Sequence, residues 1–537
     1  MQKVLTAAQI REVDRRTIEE FGIPSIVLME TAAHTVVVEI KERLGPVIAG
    51  RSILVLCGKG NNGGDGAAIA RLLWKDGANV EALLFGSIDD SSEDAKINFT
   101  IIEAISESGA GSGGAANPLR FTQSANVTEF ASLDLGKFDI CVDALFGTGL
   151  TQPLAGEFQQ IIDGVNSADM LKISVDLPSG LDADRTAAIG SVINSDVAVT
   201  FTAPKLAGVL PPAANHVREL VIAHIGSPTT LIDEQDSQVF VTERQDAVSW
   251  LAKSRFASDS YKNKRGHALI IAGSENYSGA AVLCGNAAIR SGVGLVTIAT
   301  AESGKESVAS RVDPEVMVRP VAETDSHAVS AEAIAEIEKF MDNVDAIAIG
   351  SGLSASDTST GEMVRHFVKH RRMPTILDAD ALTLLSPFED TPQRQHALIL
   401  TPHQGEFLKM LGTDDPGTIE NRVEAVRSFA QKHGVILILK GERAVIGEPG
   451  GRVVINPTGN SGLGKAGNGD TLTGVVAGFV AQGAQLGIDV FDTVVAAVYI
   501  AGAAGDLAES KFGKRVMTAS DVRDCLAEVF ADLEPAE

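Results

Sequence analysis

The chain has 537 residues, 45% hydrophobic and 21% charged. This is ordinary globular composition, with apolar material for large cores, and it excludes a disordered, collagen-like or coiled-coil chain. Lys plus Arg number 45 against 70 Asp plus Glu, a net charge of −25 without a basic run, so nucleic acid is not an expected partner and anionic ligands need local holders.

In chain order, helical patterns at 7–20 and 25–43 come first. Short, β-branched, nearly continuous apolar runs follow at 52–57, 80–85, 139–145, 171–177, 196–202 and 220–225, with helical patterns at 64–75 and 156–166. Such runs predict a parallel sheet covered on both faces. Residues 107–118 read as a small-residue loop.

From 227 to 265 the pattern weakens into polar sequence, and a second series begins. Strands are expected at 267–272, 294–300, 345–349, 375–378, 398–401 and 435–440, with helices at 278–291 and 358–371. A hairpin is expected within 443–456, then helices at 470–481, 490–508 and 519–532. The boundary is placed near residue 230, give or take ten, giving domains 1–230 and 231–537 and an α/β fold class.

Cys57, Cys141, Cys284 and Cys525 form no CxxC, so neither a zinc site nor a disulfide framework is expected, and a reducing compartment fits. The N-terminus lacks an apolar signal core, and the longest uncharged apolar stretch, 493–505, is too short to span a bilayer. A cytoplasmic protein without a membrane partner is expected.

Chemistry concentrates where strands run into glycine-rich turns. After the strand 52–57, Gly58, Gly60 and Gly63 satisfy GxGxxG, and Glu81 on the next strand stands where a ribose-binding acid would. The turn continues as NNGGDG, however, bringing two amides and a carboxylate where a dinucleotide fingerprint needs bare backbone. Strand 139–145 runs into Gly147–Pro153 with Asp143 near its end, and strand 171–177 into DLPSG, where Asp176 on a rigid turn is a candidate acid/base. Asn62, Asp143 and Ser179 offer only oxygen donors, which suit a hard cation. Asp143 is expected to lie near Asp65 and Asp176, a like-charge cluster that a monovalent cation would offset.

GNNGGDG, DALFGTGL and VDLPSGLDAD, each after a predicted strand, together resemble the NAD(P)HX epimerase domain over most of residues 1–226. The resemblance implies a Rossmann-like three-layer αβα domain that binds potassium and interconverts the R and S forms of hydrated NADH and NADPH. It implies that Asn61, Asn62, Gly63, Gly64, Asp65, Gly147, Thr148, Gly149, Leu150, Thr151, Gln152, Pro153 and Asp176 hold the hydrate, Asp176 being catalytic. It gives Asn62, Asp143 and Ser179 to the potassium ion. Lys59 departs from the proline common in that family, which should alter the turn more than the chemistry.

Residues 459–465 imitate a P-loop, but Ala466 stands where magnesium binding needs Ser or Thr and no strand precedes it, so Walker A is rejected. AGNGD opening a helix suggests backbone amides for phosphate, with Asp470 in the first turn as a base for a hydroxyl. The alternative for the segment alone, a glycine turn with an Asp cap, is the lesser reading.

The arrangement resembles the ribokinase-like kinases, and AGSENYSGAAVLCGNAAIRSGVGLVTIAT (272–300), GSGLS, LDADAL, TPHQGEF, KGERAVI and AGNGDTLTG, in order, resemble the ADP-dependent NAD(P)HX dehydratase over about 245–530. That resemblance implies a ribokinase-like α/β domain using ADP, or ATP in some members, with magnesium, to drive water from the S-hydrate. Ala280, Gly352, His403 and Asp470 would contact the hydrate, Asp470 as the catalytic base. Lys440, Gly441, Glu442, Arg443, Ala444, Asn460, Ser461, Gly462, Leu463, Gly464, Lys465, Ala466, Gly467, Asn468 and Gly469 would contact ADP. Lys465 and Ala466 depart from the Thr-Gly common there. The implied ligands are NADHX, NADPHX and ADP, and a homo-oligomer is expected. Two rivals remain at this point: a vitamin or sugar kinase fused to a nucleotide-binding domain, and a non-catalytic N-terminal binding module.

Overall fold

Seven strands, all parallel, form the sheet of the first half. They are β1 (Ser52–Cys57), β2 (Asn79–Leu84), β3 (Leu119–Thr122), β4 (Ile140–Ala144), β5 (Leu171–Val175), β6 (Ser195–Phe201) and β7 (Val217–Ala223), in the order β3-β2-β1-β4-β5-β6-β7. This computed structural model describes residues 1–108, 118–256, 258–389 and 395–534. The small-residue loop read at 107–118 falls almost wholly outside the described residues. The chain divides into two compact units, Gln2–Ser237 and Gln238–Glu537.

The expected strands of the first unit are present, most within a residue or two of their predicted ends. Their side chains are buried on both faces: Ile53, Val55 and Cys57 point to one apolar cluster, Leu54 and Leu56 to the other. That is why the runs read as continuous rather than alternating. The helix after β1 starts at Asn61, not 64, so the NNGGDG segment is its first turn rather than a loop before it. The helix Glu93–Glu107 and strand β3 were not expected.

From β1 the chain steps one way to β2 and β3, and the other way to β4 and beyond. The crevice between β1 and β4 is therefore a topological switch point, where open parallel sheets place ligands. Glu81 sits within β2, paired with Arg120 at 3.6 Å, so it is not the strand-end acid that a ribose contact requires.

The second unit holds β8 (Val239–Val241), β9 (His267–Ile271), β10 (Leu295–Ala301), β11 (Val316–Val321), β12 (Ala346–Ile349), β13 (Thr375–Leu377), β14 (Leu398–Leu400), β15 (Ile436–Leu439), β16 (Val445–Gly447) and β17 (Val453–Ile455). Their order is β8-β17-β16-β15-β14-β13-β12-β9-β10-β11, with β16 antiparallel to both neighbours as the predicted hairpin requires. The switch point lies between β9 and β12. The helix Asn468–Leu486 packs closely on the helix Ser278–Arg290 because small residues line it. A Cβ on Gly474 would stand 2.1 Å from the Cys284 carbonyl oxygen, so only glycine fits there.

One expectation is corrected here. The stretch 493–505 belongs to a helix, Val490–Phe512, of 23 residues, which is long and apolar enough to cross a membrane. It is a core helix of the unit: 67% of its most apolar window is buried. All four cysteines are buried and free.

Candidate active sites

The first unit's site forms at the C-terminal ends of β1, β4, β5 and β6. A Cβ on Gly58 would meet the Leu145 carbonyl oxygen at 2.0 Å, and one on Gly63 the Gly58 carbonyl oxygen at 1.7 Å. The β1 turn is thus closed against the β4 turn, which draws the Asn61 and Gly147 loops together. Gly63 and Gly64 are packed against backbone and do not line the resulting cavity of about 560 Å³. Asn61, Asn62, Asp65, Gly147, Thr148, Gly149, Leu150 and Asp176 do line it. Thr151, Gln152 and Pro153 lie exposed beyond its wall.

Asp176 holds a left-handed backbone, φ +67°, costly for a non-glycine residue and sustained by its contacts. Its Oδ2 accepts from the Thr148 N–H at 3.2 Å. Its Oδ1 accepts from the Lys205 ammonium at 2.7 Å and from the Thr200 hydroxyl at 3.1 Å. Lys205 is 1% exposed and also donates to Thr200 Oγ1 and the Phe201 carbonyl, each at 2.8 Å. Sequence reading missed Lys205. No glycine-rich turn surrounds it, and its only signal is a lysine just after an apolar strand.

Asp143 is 1% exposed and accepts from the Ser179 hydroxyl at 2.5 Å, the Ser179 N–H at 2.8 Å and the Ser174 hydroxyl at 2.9 Å. Burial pushes its carboxyl up, and these bonds partly offset the push. The expected grouping of Asp143 with Asp65 and Asp176 is not found. The like-charge cluster is instead Asp65, Asp176 and Asp14, and burial, then Asp176 and Asp14, hold the Asp65 carboxyl far above the carboxylate range. Ser179 Oγ lies 3.2 Å from the Phe146 carbonyl, so a carboxylate, a hydroxyl and a carbonyl oxygen meet here. Asn62 stands apart with Asp176 around Gly147: its Oδ1 and Asp176 Oδ2 are each 3.1 Å from where a Gly147 Cβ would be.

The second unit's site is built on Asp378, at the end of β13. Asp378 is 1% exposed and accepts from Lys440 Nζ at 2.7 Å, Thr401 Oγ1 at 2.8 Å and Thr473 Oγ1 at 2.8 Å. Burial alone would raise its carboxyl, but Lys440 and the hydroxyls outweigh it and hold the group below the usual range. Asp378 lies in the LDADAL segment yet was not among the residues expected to act.

Asp470 lies in the first turn of the helix Asn468–Leu486, and burial, with Asp378 nearby, pushes its carboxyl up to about 6. A Cβ on Gly469 would stand 3.4 Å from Lys440 Nζ and 3.8 Å from Asp378 Oδ2, so the ion pair lies against the helix N-terminus. Such an end favours anions.

Beside it opens a cavity of about 710 Å³. Lys440, Gly441, Glu442, Ala444, Asn460, Ser461, Leu463, Gly464, Lys465, Asn468 and Gly469 line it, while Arg443, Gly462, Ala466 and Gly467 do not. Its apolar wall was missed: Val498, Ala501 and Gly502 of the helix Val490–Phe512 read only as core. Asp506 of the same helix accepts from the Gly459 N–H at 2.9 Å and the Asn460 amide at 3.0 Å, setting that loop. Lys465 turns its ammonium to the Lys514, Arg515 and Met517 carbonyls at 2.8–2.9 Å and ties the loop down.

His403 caps the helix Gln404–Leu411, accepting at Nδ1 from the Gly405 and Glu406 N–H groups, and still lines the cavity. Ala280 and Gly352 meet each other: a Cβ on Gly352 would stand 3.0 Å from Ala280 Cβ. They follow β9 and β12, at the switch point and outside the 710 Å³ cavity.

A family model described as NAD(P)H-hydrate dehydratase matches residues 268–528, and one described as YjeF-related protein N-terminus matches 25–207. A bifunctional NAD(P)H-hydrate repair enzyme of Moorella thermoacetica is 36% identical over 534 residues, 99% of this chain and 97% of that protein. A protein of the same description from Salinibacter ruber is 33% identical, over 98% of this chain and 96% of that one. Among solved structures, an ADP/ATP-dependent NAD(P)H-hydrate dehydratase from Bacillus subtilis, co-crystallised with ATP and Mg²⁺, is 31% identical. It covers 55% of this chain and 99% of its own, at a TM-score of 0.48.

Proposed function

The chain belongs to the bifunctional NAD(P)H-hydrate repair enzymes, and on that premise we propose which residues carry each half of the repair. The enzyme epimerises hydrated NADH and NADPH and dehydrates the S-form. We assign epimerisation to residues 2–237 and ADP-driven dehydration to residues 238–537, a ribokinase-like domain in this reading. The observation that carries the assignment is that both cavities set buried, unpartnered polar atoms beside a Lys–Asp pair. These are Asn62 Nδ2 and Thr202 Oγ1 in the first unit, Asn468 Oδ1 and Thr471 Oγ1 in the second. Groups of this kind wait for a polar ligand.

In the second unit, Asp470 takes the proton from the hydrate's hydroxyl as that oxygen attacks the terminal phosphorus of ADP. The bond to the ADP bridging oxygen breaks and AMP leaves; phosphate then departs from the ring carbon with the C–O electron pair, and loss of a proton from the neighbouring ring carbon to solvent restores the double bond. The helix N-terminus at Asn468 and Gly469, with Lys440, steadies the moving phosphoryl charge. Asp378 holds the Lys440 ammonium in place. Magnesium bound to the nucleotide would supply positive charge to the phosphates beside Lys440.

In the first unit, Asp176 acts as acid/base, fixed by Lys205, Thr200 and the Thr148 amide. The oxygens of Asp143, Ser179 and Phe146 would suit a hard monovalent cation, one charge among neutral donors, and Asn62, which stands apart around Gly147, would join them only by moving. Potassium bound there supplies a fixed positive charge at the loops. Free buried cysteines support work in a reducing cytoplasm.

Following R-to-S conversion during potassium titration tests the first unit. Wild type should depend on potassium, and Asp143→Ala should be slow and insensitive while dehydrating normally. Wild-type conversion indifferent to the ion would remove these ligands from the account.

A further inference from the structure

The N-terminal helix Ala7–Phe21 contributes a wall to the first unit's cavity through Ile10, Asp14 and Ile18, spaced four residues apart on one face. A carboxyl interrupts an otherwise apolar stripe there. Its Oδ1 is sealed from solvent and has no hydrogen-bond partner. A buried carboxylate oxygen left without a donor is costly unless it is protonated or met by a ligand. Asp14 also lies outside the segment 25–207 that the family model matches.

We propose that Asp14 is a second catalytic acid/base of the epimerase site, working opposite Asp176. The proposal rests on the epimerase reading of this cavity. Asp14 faces Lys205 after β6, Asp176 after β5 and Asp65 on the helix Asn61–Lys75. Arg11 on its own helix, Lys59 and Asp94 also line the cavity. Glu30 is held by Arg71 at 2.6 Å, and Glu234, beside the helix Thr229–Asp233, by Arg16 at 2.7 Å. With three clustered carboxyls and one buried ammonium, the group cannot be fully ionised. Burial drives the Asp14 carboxyl to about 6, with Lys205 opposing and Asp176 reinforcing the push.

Protonated Asp14 gives its proton to the hydroxyl of the hydrate. The C–O bond breaks with its electron pair going to oxygen, water leaves, and the ring nitrogen's lone pair takes up the positive charge. Water then adds to the opposite face of the same carbon and gives its extra proton to Asp176. One proton passes from Asp14 to Asp176, nothing is oxidised or reduced, and the reverse reaction or exchange with solvent resets the pair.

The experiment is R-to-S conversion by the full chain and its Asp14→Asn and Asp14→Glu variants across pH, with ADP-driven dehydration of S-hydrate as the folding control. Asp14→Asn should lower kcat by about 10²–10⁴-fold with KM little changed. It should also lose the wild-type inflection near pH 6, and Asp14→Glu should restore part of both. A near-wild-type Asn rate overturns the proposal. So does a slow Asn variant that keeps the inflection, since Asp14 then only shapes the cavity. A wild-type chain that does not interconvert the hydrates refutes the epimerase reading itself and takes this proposal with it.

Discussion

Both units solve the same electrostatic problem with different backbone. Each sets a lysine against a buried aspartate, Lys205 on Asp176 and Lys440 on Asp378, each at 2.7 Å. Each sets beside that pair a second aspartate whose carboxyl burial raises to about 6, Asp14 in one and Asp470 in the other. They differ in where the pair stands. In the first unit the paired aspartate is itself the proposed acid/base and its lysine is 1% exposed. In the second the pair braces a helix N-terminus, its lysine side chain is 20% exposed and opens on the cavity proposed for the nucleotide, and the proposed base, Asp470, is separate. A pair that only braces can be altered without removing the base, whereas one containing the acid/base cannot.

The largest expected effect tests that separation. Asp470→Asn should cut dehydration by about 10²–10⁴-fold while epimerisation stays normal, because an amide cannot take the proton. Parallel rate assays on both hydrates check it.

Next come the lysines. Lys205→Met leaves the Asp176 charge buried and unpaired, which costs about 3–5 kcal/mol. Thermal melts should show the first unit destabilised and epimerase activity lost. Lys440→Met should cost less stability, since its side chain reaches the cavity, and should lower kcat for dehydration as well as raise KM for ADP. Equal destabilisation by the two would erase the distinction.

A smaller effect has a definite sign. The folded unit binds the Asp470 proton more tightly than the unfolded chain does. The stability this contributes is full below pH 3.8 and is lost as pH rises through about 6. Asp470→Asn should therefore match wild type in acid and exceed it by about 3 kcal/mol above pH 6. Denaturant titrations at both ends of that window read the gap.

The smallest effect falls on Lys59, which lines the first cavity where proline was the family expectation. Lys59→Ala should raise KM for the anionic hydrate a few-fold, more at low salt, with kcat unchanged.

Much of this architecture was legible because buried parallel strands and glycine turns leave strong marks. β1 falls on its predicted run, and the turns holding Asn62, Gly147 and Asp176 converge as their place after strands implied. Less legible were residues whose importance lies in what they meet. Lys205 and Asp378 act through partners distant in sequence, and Asp14 sits in a helix whose face reads as ordinary amphipathic packing. His403 shows the converse: read as a hydrate contact, it is also the cap of the helix Gln404–Leu411, for which no element was expected. The apolar wall at Val498 and Ala501 was hidden because a core helix and a binding wall have the same composition.

The central claim is that the two units perform consecutive, separable steps. Pure R-hydrate given to wild type, Asp176→Asn and Asp470→Asn chains with ADP, magnesium and potassium tests it most directly. The wild type should return reduced nicotinamide, Asp176→Asn should leave R-hydrate nearly unrepaired while still clearing S-hydrate, and Asp470→Asn should yield an R/S mixture without reduced nicotinamide. Wild-type-rate repair of R-hydrate by the Asp176→Asn chain would contradict the account.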